Sequence, residues 1–377
     1  MAFVALLKDC TQKKDLCRGM RAHTSILKKG LLERSPYVGN TLSMYAKCGM
    51  ITKAHQVLEN LPFRDSVSWS ALISGYTHLG QCEEAMKAYD EMQSDGFSSD
   101  SVTYTSLLKA CGSIPAIKKG RLIHSEIMNK GLLESNKHVV LSNALVDMYA
   151  KFGVLIEAKH VLCKMPTRNV ATWNALITGY IRLGQDEEAL NCFECMKNEG
   201  IAPNSITFTC ILKVCGRMRK LCMGEEVHDE IMAKRLLKDD DVRLGNALVD
   251  MYARCGCLVK ARKALSDLGS TRNIVSWNAL ISGYLQQCRA EEALDCLESM
   301  RQDGILPDEI TFTCVLKACG SMGAFDKGKE IHDEIDKQGL LENDAVLGTA
   351  LVDMYARCGA LLKAYEVLQK LPNRSIT

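Results

Sequence analysis

The sequence predicts an all-α protein, a right-handed α-solenoid of about eleven stacked helix-turn-helix repeats. The first observation is self-similarity, because WSALISGY, WNALITGY and WNALISGY begin at Trp69, Trp173 and Trp277, 104 residues apart each time. The second is that two further motif series, such as FTCILKVCG and NALVDMYARCG, alternate with this one. The third is a composition of 47% hydrophobic residues with seven prolines, which is typical of packed helices rather than disorder. Stacked repeats of this kind form one elongated domain in which each repeat contacts mainly its neighbours.

The repeat at 170–204 shows how one hairpin is built. Each of its two helices carries one apolar stripe at helical spacing: Trp173, Leu176, Ile177 and Tyr180 in the first, and Ala189, Cys192, Phe193 and Met196 in the second. Gly184 between them predicts a helix end, and Pro203 predicts a closing turn. A hairpin with two such stripes cannot bury both alone, so it needs neighbours.

The motifs divide the chain into a single array over 1–377. We expect an incomplete repeat at 1–35, then repeats at 36–65, 66–100, 101–138, 139–169, 170–204, 205–241, 242–273, 274–308, 309–344 and 345–375. Three lengths alternate: 35-residue repeats, short repeats like 139–169, and long repeats like 205–241. The first short repeat reads NTLSMYAKCG where another reads NALVDMYAKFG, so we expect its first helix to be twisted or bulged. Both ends are abrupt, which predicts a fragment of a longer protein.

Cysteine usage and hydropathy exclude two classes of protein. The cysteines recur once per repeat at two equivalent places: Cys10, Cys111, Cys215 and Cys319, and then Cys48, Cys255 and Cys358. Recurrence on packed helices predicts small buried hydrophobes in a reducing compartment, not a disulfide framework. No apolar run approaches the roughly 18 residues of a membrane span, and no targeting peptide is visible.

A polar line runs beside the apolar stripe of each first helix. Asn174, Thr178 and Arg182 lie at i, i+4 and i+8, so each repeat presents a small hydrogen-bonding side chain with a cation two turns later. Amides and hydroxyls suit base edges and cations suit phosphates, which predicts a single-stranded nucleic acid as the ligand. The predicted phosphate contacts are Lys47, Lys109, Lys151, Arg182, Lys213, Arg254, Lys317 and Arg357. The net charge of only +2 does not contradict this, because acids such as Asp186, Glu187 and Glu188 cluster on second helices.

This combination of motif and spacing resembles the pentatricopeptide repeat over essentially the whole chain. The alternation of 35-residue, long and short repeats resembles the plant-type subfamily in which standard, long and short repeats alternate. The tetratricopeptide repeat, another helical hairpin, has about 34 residues and a different signature.

The resemblance implies that the fifth and last residues of each repeat together choose one base. By position, Asn40 with Asp65 and Asn278 with Asp308 resemble uridine readers, and Ser70 with Asp100 resembles a guanosine reader. Three pairs resemble cytidine-preferring readers: Asn143 with Asn169, Asn174 with Asn204, and Asn246 with Asn273. No firm base follows for the long repeats, with Thr105 and His138, Thr209 and Asp241, and Thr313 and Asp344, nor for Thr349 with Ser375 or for Val4.

The resemblance also implies a footprint and a stacking surface. The footprint reads 5′ N-U-G-N-C-C-N-C-U-N-N 3′. Apolar second residues are expected to sandwich bases between repeats: Val67, Val140, Ala171 and Val275. Arg243 departs from that apolar pattern.

Three motifs that look like chemistry are better explained by packing. His124, His228 and His332 each begin an H-x-E sequence, the first half of a zinc deaminase signature, but no P-C-x-x-C follows. They recur in every long repeat, as a packing residue does. Cys192 and Cys195 form a lone C-x-x-C without a second ligand pair, and the acids at 186–188 suit a helix N-terminus. We expect no catalysis, no cofactor and no metal.

The sequence therefore predicts a monomeric, non-membrane protein that binds single-stranded RNA by one base per repeat. The resemblance implies site recognition for C-to-U editing in a mitochondrion or chloroplast, with the mitochondrion preferred and a cytidine deaminase module or editing factor acting in trans. RNA stabilisation, splicing or translation control in an organelle is the alternative within RNA binding. A protein–protein scaffold of the tetratricopeptide kind is the alternative of another class.

Overall fold

The computed structural model describes residues 2–32, 35–61, 64–133, 138–237, 242–342 and 345–370, and the side chains at 35, 36 and 342 are not described. Within these ranges the secondary structure is helical and contains no strand. The chain divides into two compact units, Met1–Ile201 and Ala202–Thr377. The predicted all-α architecture of helical hairpins is confirmed in each unit; the right-handed sense of the whole array stays a prediction.

The first compact unit contains six hairpins. Their helices are α1 (Ala2–Lys13), α2 (Leu16–Lys28), α3 (Ser35–Lys47), α4 (Ile51–Glu59), α5 (Ser66–His78), α6 (Cys82–Ser94), α7 (Ser101–Cys111), α8 (Ile117–Asn129), α9 (Val139–Lys151), α10 (Leu155–Lys164), α11 (Val170–Arg182) and α12 (Asp186–Asn198). Each odd-numbered helix is the first helix of a hairpin, and within this unit α1, α3, α5, α7 and α9 each pack on the first helix of the next hairpin.

The second compact unit contains five hairpins and two short 3₁₀ turns. Its α-helices are α13 (Ser205–Met218), α14 (Leu221–Ala233), α15 (Val242–Arg254), α16 (Leu258–Asp267), α17 (Ile274–Gln286), α18 (Ala290–Gln302), α19 (Glu309–Met322), α20 (Phe325–Gln338), α21 (Ala345–Arg357) and α22 (Leu361–Lys370). Here too the successive first helices, from α13 to α21, pack on one another. In both units this stacking brings equivalent positions of neighbouring first helices side by side.

The predicted apolar stripes form the core. All eight predicted stripe residues of the hairpin α11–α12 are buried, from Trp173 to Met196. The predicted helix end is also confirmed, since Gly184 has a left-handed φ of 70°, a conformation that glycine adopts without steric cost. Hydrophobic burial between hairpins therefore provides the main stabilisation, as expected for repeats without independent cores.

The prediction of buried recurrent cysteines is confirmed for one series and wrong for the other, because Cys48, Cys255 and Cys358 are only half-buried. Cys10, Cys111, Cys215 and Cys319 are buried, and burial raises the pKa of each thiol, to about 12 at Cys215. A thiol that stays protonated at neutral pH is a poor nucleophile and a poor metal ligand. Within the described part of the chain, no group of three or more metal-ligating side chains comes together.

Among the described helices, none combines the length and the apolar composition that crossing a membrane requires.

The expected distortion of the first short repeat is wrong. Helix α3 is a continuous α-helix over Ser35–Lys47, so the missing residue shifts its register instead of bending it. Tyr45 bonds His23 as Tyr149 bonds His124, which aligns the C-terminal halves of α3 and α9. Gly39 lies six residues before Tyr45, and Asn143 lies six residues before Tyr149. In this alignment Gly39 is therefore the equivalent of Asn143.

Candidate nucleic-acid interface

The last residue of a repeat is the N-cap of the following first helix. Asp65, Asp100, Asn169, Asn273 and Asp308 each accept a hydrogen bond from the backbone N–H of the third residue of the next helix. An N-cap oxygen satisfies an N–H group that has no partner within the helix. The positions of these last residues are therefore determined by local capping.

Stacking brings three of these caps against the fifth residue of their own repeat. The side-chain amides of Asn143 and Asn169 lie 3.4 Å apart, Nδ2 to Oδ1, and those of Asn246 and Asn273 pair reciprocally at 3.3 Å. Asn278 Nδ2 donates to Asp308 Oδ1 at 3.0 Å. The side chains that were paired by position in the sequence therefore meet in space at these three repeats.

A hydroxyl that the sequence analysis missed joins several of these pairs. The hydroxyl oxygens of Thr172 and Thr311 lie 2.6 Å from Oδ1 of Asn143 and Asn278, respectively. Thr103 links Ser70 and Asp100 in the same way, at 2.5 Å and 2.7 Å. The sequence signal was present, because six of the eight repeats that end in Asn or Asp are followed by Ser or Thr three residues later, as a capping box requires. The other two, which end in Asp241 and Asp344, are followed by leucine.

The pair of Asn278 and Asp308 has a defined charge and orientation. Burial alone would raise the pKa of Asp308, but hydrogen bonds from the Thr311 backbone N–H and the Asn278 amide lower it below its ordinary value. The carboxylate is therefore ionised at neutral pH and can only accept hydrogen bonds. The amide nitrogen of Asn278 must face it, and Oδ1 must face Thr311.

The second compact unit contains a groove of about 500 Å³ between its first helices, and this groove collects the predicted contacts. Fifth residues of three successive repeats line it: Thr209, Asn246 and Asn278. The second residues Arg243 and Val275 and the cations Lys213 and Arg254 lie in the same wall. Side chains predicted for base edges, base faces and phosphates therefore share one open cavity.

The predicted base-sandwiching residues are exposed. Val67, Val140 and Val275 have more than half of their surface accessible, at 53%, 66% and 58%, and Ala171 is exposed as well. These exposed apolar side chains lie on the same helices as the fifth residues and provide surfaces on which a base can stack.

The predicted phosphate contacts fall into two groups. Lys151, Arg254 and Arg357 each form an ion pair with an aspartate one turn earlier, at 2.8–2.9 Å. The other five are exposed and form no ion pair with any described residue: Lys47, Lys109, Arg182, Lys213 and Lys317. The second group is more available to phosphate, a distinction that the sequence analysis did not make.

In the long repeats and the last short repeat the fifth residue is a threonine, whose hydrogen bonds differ from those of the asparagines described above. The hydroxyls of Thr105, Thr209 and Thr349 each donate to the backbone carbonyl four residues earlier, at 2.7–2.8 Å. A hydroxyl has one proton, so these side chains face a base as acceptors only. Thr313 is half-buried, His138 precedes α9 without a side-chain cap bond, and Val4 is half-buried on α1.

Several predicted pairs remain predictions. Asp241, Asp344 and Ser375 lie outside the described residues. Asn174 is buried in the first compact unit, whereas Asn204 caps α13 in the second by accepting from Thr207 N at 3.1 Å. Asn40 is half-buried and lies one position beyond the place that its equivalents occupy, because Gly39 occupies that place.

The histidines of the H-x-E motifs have the predicted packing role. Nδ1 of His124, His228 and His332 lies 2.8–2.9 Å from the hydroxyl of a tyrosine in the following repeat: Tyr149, Tyr252 and Tyr355. Burial lowers the pKa of all three histidines, so they pack as neutral rings.

Comparison with known proteins identifies a family. Models described as the PPR repeat family match residues 64–113, 168–217 and 272–321, and models described as the PPR repeat match residues 140–170, 310–340 and 349–376. Two similar proteins of Arabidopsis thaliana are pentatricopeptide repeat-containing proteins. One is named chloroplastic and is 33% identical over 99% of this chain and 59% of its own length. The other is named mitochondrial and is 34% identical over 99% of this chain and 36% of its own length. The chain spans about half the length of the curated relatives it matches.

A solved structure shares the fold. The crystal structure of the pentatricopeptide repeat protein PPR10 in complex with an 18-nt psaJ RNA element superposes with a TM-score of 0.71 at 20% identity, over 97% of this chain and 59% of that one.

Proposed function

Because the chain belongs to the pentatricopeptide repeat family, we propose that it binds single-stranded RNA and reads one base per repeat with its fifth and last residues. The observation that carries the proposal is the set of three side-chain pairs that join these residues, together with the groove over Asn246 and Asn278. PPR10, which shares the fold, was crystallised with RNA.

The charge of the last residue supplies a chemical reason for the base assignments. Uracil carries an N–H at position 3, to which the ionised Asp308 is an acceptor, whereas cytosine carries a lone pair there that a carboxylate repels. The amides of Asn169 and Asn273 can instead donate to that lone pair. Guanine presents two adjacent donors on its Watson–Crick edge, which suits Asp100 beside the Ser70 hydroxyl.

The footprint proposed for the array is 5′ N-U-G-N-C-C-N-C-U-N-N 3′. The uridine in the second place depends on Asn40 and Asp65 and has less geometric support than the others, because Gly39 takes the equivalent helical position. The remaining assignments keep the pairs given by the repeat boundaries, including Asn174 with Asn204.

The alternation of repeat lengths supports a narrower role. Standard, long and short repeats in turn suggest the plant-type subfamily, and through it recognition of C-to-U editing sites. A cytidine deaminase module or editing factor would act in trans on the bound RNA. We further propose that the protein acts as a monomer in a mitochondrion or chloroplast, locations that appear in the names of similar proteins.

A binding titration at fixed salt tests the base-reading function. The wild-type protein should prefer U-G-N-C-C-N-C-U to oligoribonucleotides permuted at the six assigned bases. Asp308→Asn should move the preference at the ninth place from uridine towards cytidine, because an amide can donate where the carboxylate only accepts. Glu291→Gln on α18 removes the same charge from a second helix and should leave the preference unchanged. Equal binding of all permutations would refute base reading, and absence of RNA binding would favour a protein scaffold.

A further inference from the structure

The third residue of the first helix chooses between two hydrogen-bond acceptors. Where it is threonine, at 103, 172 and 311, its hydroxyl lies within 2.6 Å of the fifth residue of the preceding repeat. Where it is serine, at 68 and 276, its hydroxyl donates to the carbonyl of its own N-cap residue, at 2.8 Å and 2.7 Å. The difference follows residue type at these five positions, although each threonine hydroxyl also lies 2.7–3.1 Å from Oδ1 of its own N-cap residue. At the sixth position, the hydroxyl of Thr207 lies 3.0 Å from Oδ1 of its N-cap residue Asn204.

The choice of acceptor is energetically important because these hydroxyl groups are buried. The side chains of Thr172, Ser276 and Thr311 are fully buried, so each hydroxyl proton needs an acceptor inside the protein. Threonine is β-branched and populates two side-chain rotamers in a helix, and its γ-methyl group must also be packed. Serine lacks this methyl group, and its hydroxyl is free to turn to the N-cap carbonyl.

The hydrogen bonds of the fifth residue depend on which acceptor the third residue of the next helix uses. With Thr311 in place, Asn278 accepts from the hydroxyl through Oδ1 and donates to Asp308 through Nδ2, which leaves one N–H and one lone pair in a single orientation. With Ser276 turned away, Asn246 bonds Asn273 through both N–H and C=O, while Asn273 also accepts from the backbone N–H groups of Val275 and Ser276. Asn246 therefore also keeps one N–H and one lone pair for a base, but its orientation depends on Asn273 alone, without a bond from the third residue.

We propose that the third residue of the following repeat is a positioning residue for base reading. Threonine adds a second hydrogen bond that holds the reading side chain and raises discrimination between bases, whereas serine leaves that side chain held by the last residue alone and lowers discrimination. This inference rests on the proposed RNA-binding function, and it adds a third residue, contributed by the next repeat, to each reading pair.

A reciprocal exchange tests the proposal. Thr311→Ser and Ser276→Thr each keep a hydroxyl at the capping position, so the helix N-terminus retains its cap. RNA affinity is measured with seven oligoribonucleotides: the proposed footprint, three that change only the base at the ninth place and three that change only the base at the eighth. The unfolding midpoint of each variant shows that the fold is retained.

The expected result is a change in base ratio at one place only. Thr311→Ser should lower the preference for uridine over cytidine at the ninth place by about three- to ten-fold, the effect of losing one oriented hydrogen bond. Ser276→Thr should raise discrimination at the eighth place by a similar factor. Each variant should leave the base preference at the other place unchanged, so each variant serves as the control for the other.

Two results overturn the proposal while leaving RNA recognition intact. One is a wild-type preference that survives Thr311→Ser, and the other is an equal loss of affinity for all four bases, as expected of a purely structural hydroxyl. If the wild-type protein itself shows no preference at either place, the proposed base reading fails, and the positioning role fails with it.

Discussion

Two buried tryptophans carry an indole N–H without a hydrogen-bond partner. Trp173 Nε1 donates to Glu199 Oε2 at 3.2 Å, and the other oxygen of Glu199 binds Arg168. In the repeat at 274–308 the equivalent acid is Asp303, which binds Arg272 at 2.7 Å but leaves Trp277 Nε1 unsatisfied. Aspartate is one methylene shorter than glutamate, so we attribute the missing bond to its reach.

We therefore expect Asp303→Glu to stabilise the protein. A buried donor without a partner costs about 1–3 kcal/mol, and ordering one more side-chain torsion costs about 0.5 kcal/mol. Because Asp303 is partly exposed, at 25%, the gain should lie at the low end, about 1 kcal/mol. The reverse change, Glu199→Asp, should lose a similar amount because it leaves Trp173 Nε1 without its acceptor.

The assay follows both stability and the indole group itself. The chain contains three tryptophans, so a ¹H–¹⁵N spectrum shows three indole signals that single variants can assign. Asp303→Glu should slow hydrogen exchange at the Trp277 indole and raise the urea midpoint without changing the slope. Glu199→Asp should do the opposite at Trp173.

The result that would refute this reasoning is an Asp303→Glu variant whose Trp277 indole exchanges as fast as before while its urea midpoint is unchanged or lower. That outcome would mean that the packing around the ring, and not the length of the acid, keeps the N–H unpaired.

Three further predictions concern acid stability, helix packing and phosphate binding. Burial lowers the pKa of His228 below 6.5, so the unfolded chain takes up this proton more readily and the free energy of unfolding should decline as the pH falls below about 6.5. Urea midpoints of wild type and His228→Asn between pH 8 and 5 check this, and equal pH slopes would contradict it. Gly283→Ala should cost about 1–3 kcal/mol because a Cβ there would lie 2.6 Å from Ala253 Cβ, and thermal unfolding measures the loss. An unchanged midpoint would show that the two helices can separate at no cost. Asp250→Ala should strengthen binding of all RNA sequences alike because it releases Arg254 from its ion pair, and a salt titration should steepen by about 0.7 for one added phosphate contact. A sequence-dependent gain would instead place Asp250 among the base-reading residues.

Much of the interface was predictable from local patterns. The stripe that includes Trp173 predicted the buried face, and the repeat pattern located last residues such as Asn169, which cap the next helix. These two features depend on residues within one or two helical turns of each other, so sequence spacing determines them. The packing role of the H-x-E histidines was predictable for another reason, because a residue that recurs in every long repeat has a structural role.

Other features appeared only in the folded chain. The register of α3, which places Gly39 ahead of Asn40, depends on how Tyr45 packs against His23 in the preceding repeat. The division of the cations, by contrast, was present in the sequence, because an aspartate stands four residues before each paired cation, as Asp250 stands before Arg254, and a serine or threonine stands there in the other group.

The sequence alone determined the fold class, the repeat boundaries at the capped helices, and the residues that face the groove, because periodicity and capping act over a few consecutive positions. Only the tertiary structure decided which of those side chains bond to one another. The pairs of Asn143 with Asn169 and of Asn278 with Thr311 join residues 26 and 33 positions apart. Their geometry follows from the packing of one hairpin on the next, which places the acceptors within reach of a buried hydroxyl or amide.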